Sequence, residues 1–391
     1  MNILIDHRES GYFYGGAENH IRGLSKKLLE RKHKIIILTE KGKTDTLEFL
    51  KKNPNFKVIY LPSLKLRRSK KFKTFSSGIS KKVNKRVFLT GLSRVISNSA
   101  WIIKSGIWMT LNKKKFDVVW VCKYTDTFLL KFLNKFARIP FVESLEGYDY
   151  VEAENAKGVK FVYTISDFII DQCKNVHGFE PEFITIGVDR DKFDKINSSE
   201  MSEIKKRYGN KKMVLNVARL VDSKDIPTYI RSCGEVIKKF GNVVFIVCGD
   251  GEEKDRLQEL IKKLKLEKNF FIPPISGESD IIKYYKSSDI FVHVPKTGNH
   301  FGIVYIEAMT AGLPIVASNV DASPKTVEGC ALLVKPGDVR GMAQSVEKLL
   351  KDKKLRDKLS KNSLKRAKSV FDWDKITSKM ESLFSKAASS Y

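Results

Sequence analysis

The chain has 391 residues, 42% hydrophobic and 10% aromatic, enough for two cores and too apolar for low-complexity disorder. Lys and Arg number 72 against 45 Asp and Glu, a net charge of +27 that calls for a polyanionic partner: nucleic acid, an anionic membrane surface or a phosphorylated ligand. The five cysteines are scattered, with no C-x-x-C pair, so neither a disulfide framework nor a zinc site is expected and a reducing cytosol fits. The N-terminus lacks the pattern of a signal peptide, and no run reaches the roughly 18 apolar residues of a membrane span.

In chain order, short apolar runs alternate with helical periodicity. NILID (2–6) reads as a strand, followed by a Gly15-Gly16 turn and a helix with Ile21, Leu24 and Leu28 on one face. Strands are expected at 34–40, 57–62, 118–122, 140–145 and 161–166. The pattern then restarts with a strand at 213–218, a helix at 226–240 and a strand at 243–249. A helix at 251–266, a strand at 291–294, a helix at 301–312 and a strand at 314–318 follow. Near-continuous apolar strands separated by helices imply parallel sheets covered on both faces, and two doubly wound α/β domains. The expected domains are residues 1–192 and 205–370, with the boundary in the polar stretch 189–206. A last helix, 373–388, could pack on either domain.

One segment breaks the rhythm. Between Glu48 and Asp117 there are 18 basic residues and no acidic one. Apolar residues four apart, such as Ile103, Ile107 and Leu111, are interleaved, so basic amphipathic helices are expected across an insertion at about 63–115. Segment 51–115 is the candidate contact with an anionic membrane. Lys65, Arg67, Arg68, Lys70, Lys71 and Lys73 are its cationic edge, and Phe72, Phe75, Trp101 and Trp108 the rings to insert at the headgroup boundary. Ordinary helices covering the first sheet are the alternative.

The second half carries the chemistry. Glu307 is the only charge between His300 and Asp321, and a lone carboxylate on a buried helix needs donors, which a sugar diol could supply. Phe301, Gly302 and Ile303 open that helix and offer an anion site at its start. Arg219 and Lys224 leave the carboxyl end of the first strand of this half, where open parallel sheets bind ligands; a guanidinium fork with a mobile ammonium suits a diphosphate. The Gly15-Gly16 turn permits close approach of a phosphate, yet it is neither G-x-G-x-x-G nor a Walker loop. No carboxylate pair suited to a metal is visible.

GGAENH near the start, ARLVDSK, GDGEEKDRL and FGIVYIEAMTAGLPIVAS stand in an order that resembles the retaining glycosyltransferases of family 4. That resemblance implies the GT-B fold, two Rossmann-like domains facing across a cleft. It implies a nucleotide diphosphate sugar as donor substrate, with no separate cofactor. Arg219 and Lys224 then match the residues that hold the donor diphosphate, and Glu307 the second glutamate of the family's paired-glutamate motif, on the donor ribose. Gly16 matches the glycine near the donor phosphates and the acceptor, and Trp373 opens the helix that crosses back to the first domain. Two positions depart from the pattern: Asn299 stands where the first glutamate belongs, beside His300, and Glu146 replaces a histidine on the possible acceptor side.

The expectation is a cytoplasmic enzyme held at the inner face of the membrane, transferring a sugar with retention to a lipid-linked or cell-envelope glycan acceptor. A catalytically weak nucleotide-sugar-binding protein of the same fold is the alternative. The charge raises nucleic-acid binding, but no such motif appears, and no dinucleotide fingerprint supports an oxidoreductase.

Overall fold

The computed structural model describes residues 1–10, 16–41, 45–62, 100–122, 130–132, 137–297 and 301–390. Gly15, Asn299, His300 and the basic run at 63–99, with Lys65, Phe72 and Phe75, lie outside them. The chain divides into two compact units. One comprises Met1–Ile165, Ile169–Ile184 and Asp374–Tyr391; the other comprises Ser166–Phe168 and Thr185–Trp373.

The first unit is a seven-stranded parallel sheet of order β3-β2-β1-β4-β5-β6-β7. Its strands are β1 (Asn2–Asp6), β2 (Lys34–Thr39), β3 (Phe56–Tyr60), β4 (Val118–Val121), β5 (Phe141–Leu145), β6 (Val162–Thr164) and β7 (Glu182–Phe183). Every residue of β4 and β5 is buried, Glu143 and Ser144 of β5 included, because helices cover both faces of the sheet. Helix Gly16–Glu30 follows β1 and buries Ile21, Leu24 and Leu28. The final helix, Trp373–Ala388, sends most of its length to this unit. Arg31 reaches Glu381 at 2.6 Å, His33 reaches it at 2.8 Å, and Phe384 packs its ring 6.1 Å from Trp120.

Residues 100–111 form a helix covering the sheet. Trp101, only 3% exposed, packs with Leu4, Met109, Phe116 and Val119, and Trp108 lies partly buried against the same cluster. These two rings are core and not the membrane anchors that the sequence suggests. The burial of large apolar area outweighs any use of the rings at the surface. The face left outside is that of Ile103, Ile107 and Leu111.

The second unit is a six-stranded parallel sheet of order β10-β9-β8-β11-β12-β13. Its strands are β8 (Lys212–Val217), β9 (Val243–Cys248), β10 (Phe270–Phe271), β11 (Ile290–His293), β12 (Ile315–Ser318) and β13 (Ala331–Val334). The polar stretch 189–206 belongs to this unit and is helical. Arg190–Asp194 buries Phe193, and Ser198–Arg207 buries Ile204 behind a capping box of Asn197 and Glu200. Trp373 closes the unit against Gly187: a Cβ there would lie 2.6 Å from the indole ring, so only glycine fits.

Candidate active site

The carboxyl ends of β8 and β11 are tied together. Beyond β8 the chain runs through Ala218 to Arg219, whose side chain is exposed. The β9 turn passes so close that a Cβ on Gly249 would collide with the Ala218 carbonyl oxygen, and one on Gly251 with that of Leu220. The Leu220 N–H donates to Asp250 at 2.9 Å, and the Glu253 N–H to Leu220 at 3.1 Å. The glycines of GDG therefore serve backbone packing that fixes where Arg219 points. The turn Asp222–Lys224 follows, and the backbone N–H of Lys296, beyond β11, donates to the Ser223 carbonyl at 3.0 Å. The Lys296 ammonium binds Asp222 at 3.2 Å and lies 3.8 Å from Asp225.

Lys224 is half-buried. Burial lowers its pKa, and the charge of neighbouring Arg219 lowers it further, against a smaller opposing effect of Asp321. Two cations that repel each other on a strand end are suited to an anionic ligand whose charge exceeds one. His293, the last residue of β11, is pushed down to about 3 by burial and by the Lys224 charge, so it is a neutral imidazole. Its Nδ1 has no hydrogen-bond partner, while its carbonyl accepts from Tyr305 at 2.9 Å.

Phe301 is buried, 6.4 Å from Phe371, and its carbonyl accepts from the Thr326 hydroxyl at 2.9 Å. Gly302 follows with φ 82° and ψ 64°, a left-handed conformation that favours glycine, and helix Ile303–Thr310 starts at once. Its first turn contains no acid, so its free N–H groups face no competing anion of their own. One turn on, Glu307 is half-buried. The Tyr285 hydroxyl, from helix Glu278–Ser287, donates to its Oε2 at 2.9 Å and lies 3.3 Å from the Val304 carbonyl. Burial pushes Glu307 up to about 7; the Tyr285 bond opposes this, Glu278 adds to it, and Lys192 opposes it.

In the first unit Gly16 opens its helix with nothing within 4 Å of a Cβ placed there. Glu146 follows β5. Its Oε1 lies 2.9 Å from His20 Nδ1 and accepts from the Ser144 hydroxyl at 3.1 Å, while Oε2 is enclosed without a partner. His20, fully buried, contacts the rings of Trp120 and Tyr163 edge-on. Among the described residues no group of His, Cys, Asp or Glu could hold a metal ion.

Sequence reasoning missed Tyr285, His293 and His20 as members of these clusters. His293 had a signal, a lone histidine at the end of an apolar strand; Tyr285 had none, because its helix reads as ordinary amphipathic packing.

Residues 197–366 match the family model described as glycosyl transferases group 1. A glycosyltransferase of unknown specificity from Methanocaldococcus jannaschii is 26% identical over 68% of this chain and 74% of its own. The capsular polysaccharide biosynthesis glycosyltransferase CapM of Staphylococcus aureus is 29% identical over 51% of this chain and 52% of its own, so that alignment spans about half of each protein. The solved structure of Anabaena HepE with UDP-glucose covers 99% of this chain and 100% of its own, with a TM-score of 0.75 at 19% identity. The chain has the GT-B fold, and its residues 197–366 match the group 1 glycosyl transferases. The family match lies on the unit that carries Arg219, Lys224 and Glu307, and the fold match extends over both units.

Proposed function

We propose that the protein is a retaining glycosyltransferase of family 4 that moves a sugar from a nucleotide diphosphate sugar to a lipid-linked or cell-envelope glycan acceptor. The observation that carries this reading is the Arg219–Lys224 cation pair at the end of β8, in the same unit as a tyrosine-anchored Glu307. Glu307 presents Oε1 to two adjacent ribose hydroxyls, with Oε2 held by Tyr285. Arg219, Lys224 and the start of the Ile303–Thr310 helix, with Phe301, Gly302 and Ile303, hold the diphosphate. The charge that grows on the leaving diphosphate is met by groups already in place, which is electrostatic preorganisation, and the diphosphate takes the acceptor's proton. The first unit, with Gly16 and Glu146, handles the acceptor.

CapM is named for capsular polysaccharide biosynthesis and HepE was solved with UDP-glucose, which supports an envelope glycan and a uridine nucleotide as the first to test. The excess of basic charge supports work at an anionic membrane surface on the cytoplasmic side, and no described helix is long and apolar enough to cross a membrane.

Thermal shift with a panel of nucleotide sugars, followed by product analysis with extracted envelope lipids, tests this. A donor that binds the native state raises the melting temperature, and transfer with that donor should follow. Binding without transfer to any extracted acceptor would favour the catalytically weak reading, which the replacement of a family histidine by Glu146 supports. No stabilisation by any nucleotide sugar would overturn the donor assignment.

A further inference from the structure

The first sheet has a cationic pocket at the end opposite to Gly16 and Glu146. Lys113, Lys114 and Arg138 line it, with Phe116, Ile139 and Pro140 among its apolar walls, around a volume of about 340 Å³. Phe116 stands just before β4 and Pro140 just before β5, so the pocket lies at the amino ends of the strands. The functional residues assigned above stand at carboxyl ends, which separates this pocket from donor and acceptor chemistry. None of the three cations has a hydrogen bond or ion pair to an acid among the described residues. The nearest acid in sequence, Asp117, accepts instead from the Asn2 backbone at 2.7 Å. Some cations elsewhere are matched, as Lys205 is with Asp289 at 2.6 Å and Lys239 with Glu347 at 2.8 Å.

Two residues before Lys113 ends the helix 100–111. Its buried side holds Trp101, Ser105 and Met109. Its outer side presents Ile103, Ile107 and Leu111, spaced four apart on one face and 58%, 56% and 79% exposed. An apolar stripe beside cations that meet no acid among the described residues marks an interaction surface.

We propose that this edge docks on a membrane: the Lys113–Lys114–Arg138 pocket takes the phosphate of an anionic phospholipid headgroup, and Ile103, Ile107 and Leu111 enter the leaflet boundary beside it. The proposal deepens the membrane-surface reading above and rests on it. Charge complementarity selects the occupant. A second copy of a chain carrying +27 is repelled, and a soluble polyanion offers nothing to the apolar stripe. A leaflet supplies phosphate and hydrocarbon side by side.

The test is co-sedimentation of the full chain with vesicles of phosphatidylcholine alone and with about 30% phosphatidylglycerol, at ~100 mM salt, where the Debye length of about 10 Å keeps charge effects measurable. The triple variant Lys113→Ala/Lys114→Ala/Arg138→Ala should bind the anionic vesicles on the order of a hundredfold more weakly, at roughly fivefold per cation. Lys262→Ala/Lys263→Ala/Lys265→Ala removes the same charge from an exposed helix end of the second unit and should keep most of the binding. Because all five native cysteines are buried, Ile107→Cys can carry an environment-sensitive dye at a single site. Its emission should shift to the blue with anionic vesicles, and free inorganic phosphate at millimolar level should not reproduce the shift. Equal losses in the two triple variants, or a dye that stays in water while the protein is bound, would overturn this surface and leave the membrane reading standing. Failure of the wild-type chain to bind anionic vesicles would overturn both.

Discussion

The Tyr285 hydroxyl donates to Glu307 Oε2 at 2.9 Å, from a helix that the sequence does not link to the glutamate. In the proposed donor site the bond occupies Oε2 and leaves Oε1 to the ribose. On that proposal Tyr285 is a positioning residue. Tyr285→Phe keeps the ring, which packs 5.5 Å from Phe291, and removes only the donor. Nucleotide affinity, measured by titration calorimetry, should fall about tenfold, in line with roughly 1.5 kcal/mol for a hydrogen bond to a charged group. Unchanged affinity would mean that Glu307 is held by packing alone.

Glu307 is raised to about 7, so its occupancy by a proton changes across neutral pH. The proposed ribose diol would donate to the ionised form, so nucleotide affinity should rise between pH 6 and pH 8, with release of a proton at neutral pH. Calorimetry in two buffers of different ionisation enthalpy reads that proton directly. Glu307→Gln should flatten the profile. The same shift carries a stability sign. With the folded value above the ordinary 4.5, the contribution is present at low pH and is lost as pH rises through about 7. Asp6 is raised to about 7 by burial as well, so the Glu307 share is the difference from the glutamine variant.

Arg219→Ala and Lys224→Ala should each lower turnover about 100- to 1000-fold, as expected for loss of one preorganised charge at a leaving group. In the proposed mechanism these residues face charge that grows in the transition state, so kcat should fall more than KM rises. Steady-state kinetics with the donor found by thermal shift checks this, and a pure KM effect would reassign the pair to ground-state binding.

Gly249→Ala and Gly16→Ala should separate fold from site. At Gly249 the added Cβ meets the Ala218 carbonyl, which cannot move without disturbing the β8–β9 pairing, so stability should drop by ~1–3 kcal/mol. At Gly16 the added Cβ meets open space, so the melting temperature should hold while activity falls if the diphosphate approaches there. Thermal melts and activity assays on both variants decide the matter.

His20→Ala should destabilise the first unit by ~1–3 kcal/mol, because Glu146 Oε1 loses one of its two partners in a buried setting. Chemical denaturation measures it. Glu146→Gln, which retains the shape and one acceptor oxygen for His20 and Ser144, should cost less.

Much of this molecule is written locally. The runs NILID, KIIILT and VVFIVC are strands because apolar β-branched residues fill both faces, and the glycines near Arg219 and before Ile303 stand where the backbone needs them. The motifs around Arg219, Lys224 and Glu307 are continuous in sequence, so the donor-side candidates could be read without coordinates. What only the tertiary structure decided involves residues far apart in the chain. Tyr285 meets Glu307 because two helices pack on the same sheet, and His20 meets Glu146 across 126 positions through the side-by-side placement of β1, β4 and β5. The direction in which an amphipathic helix faces also depends on its partner. Helix 100–111 is apolar on two sides, and the sheet took Trp101 and Met109, the side with the larger buried area, leaving Ile103, Ile107 and Leu111 outside. Periodicity gives the faces of a helix, but the sheet beneath selects which face is core.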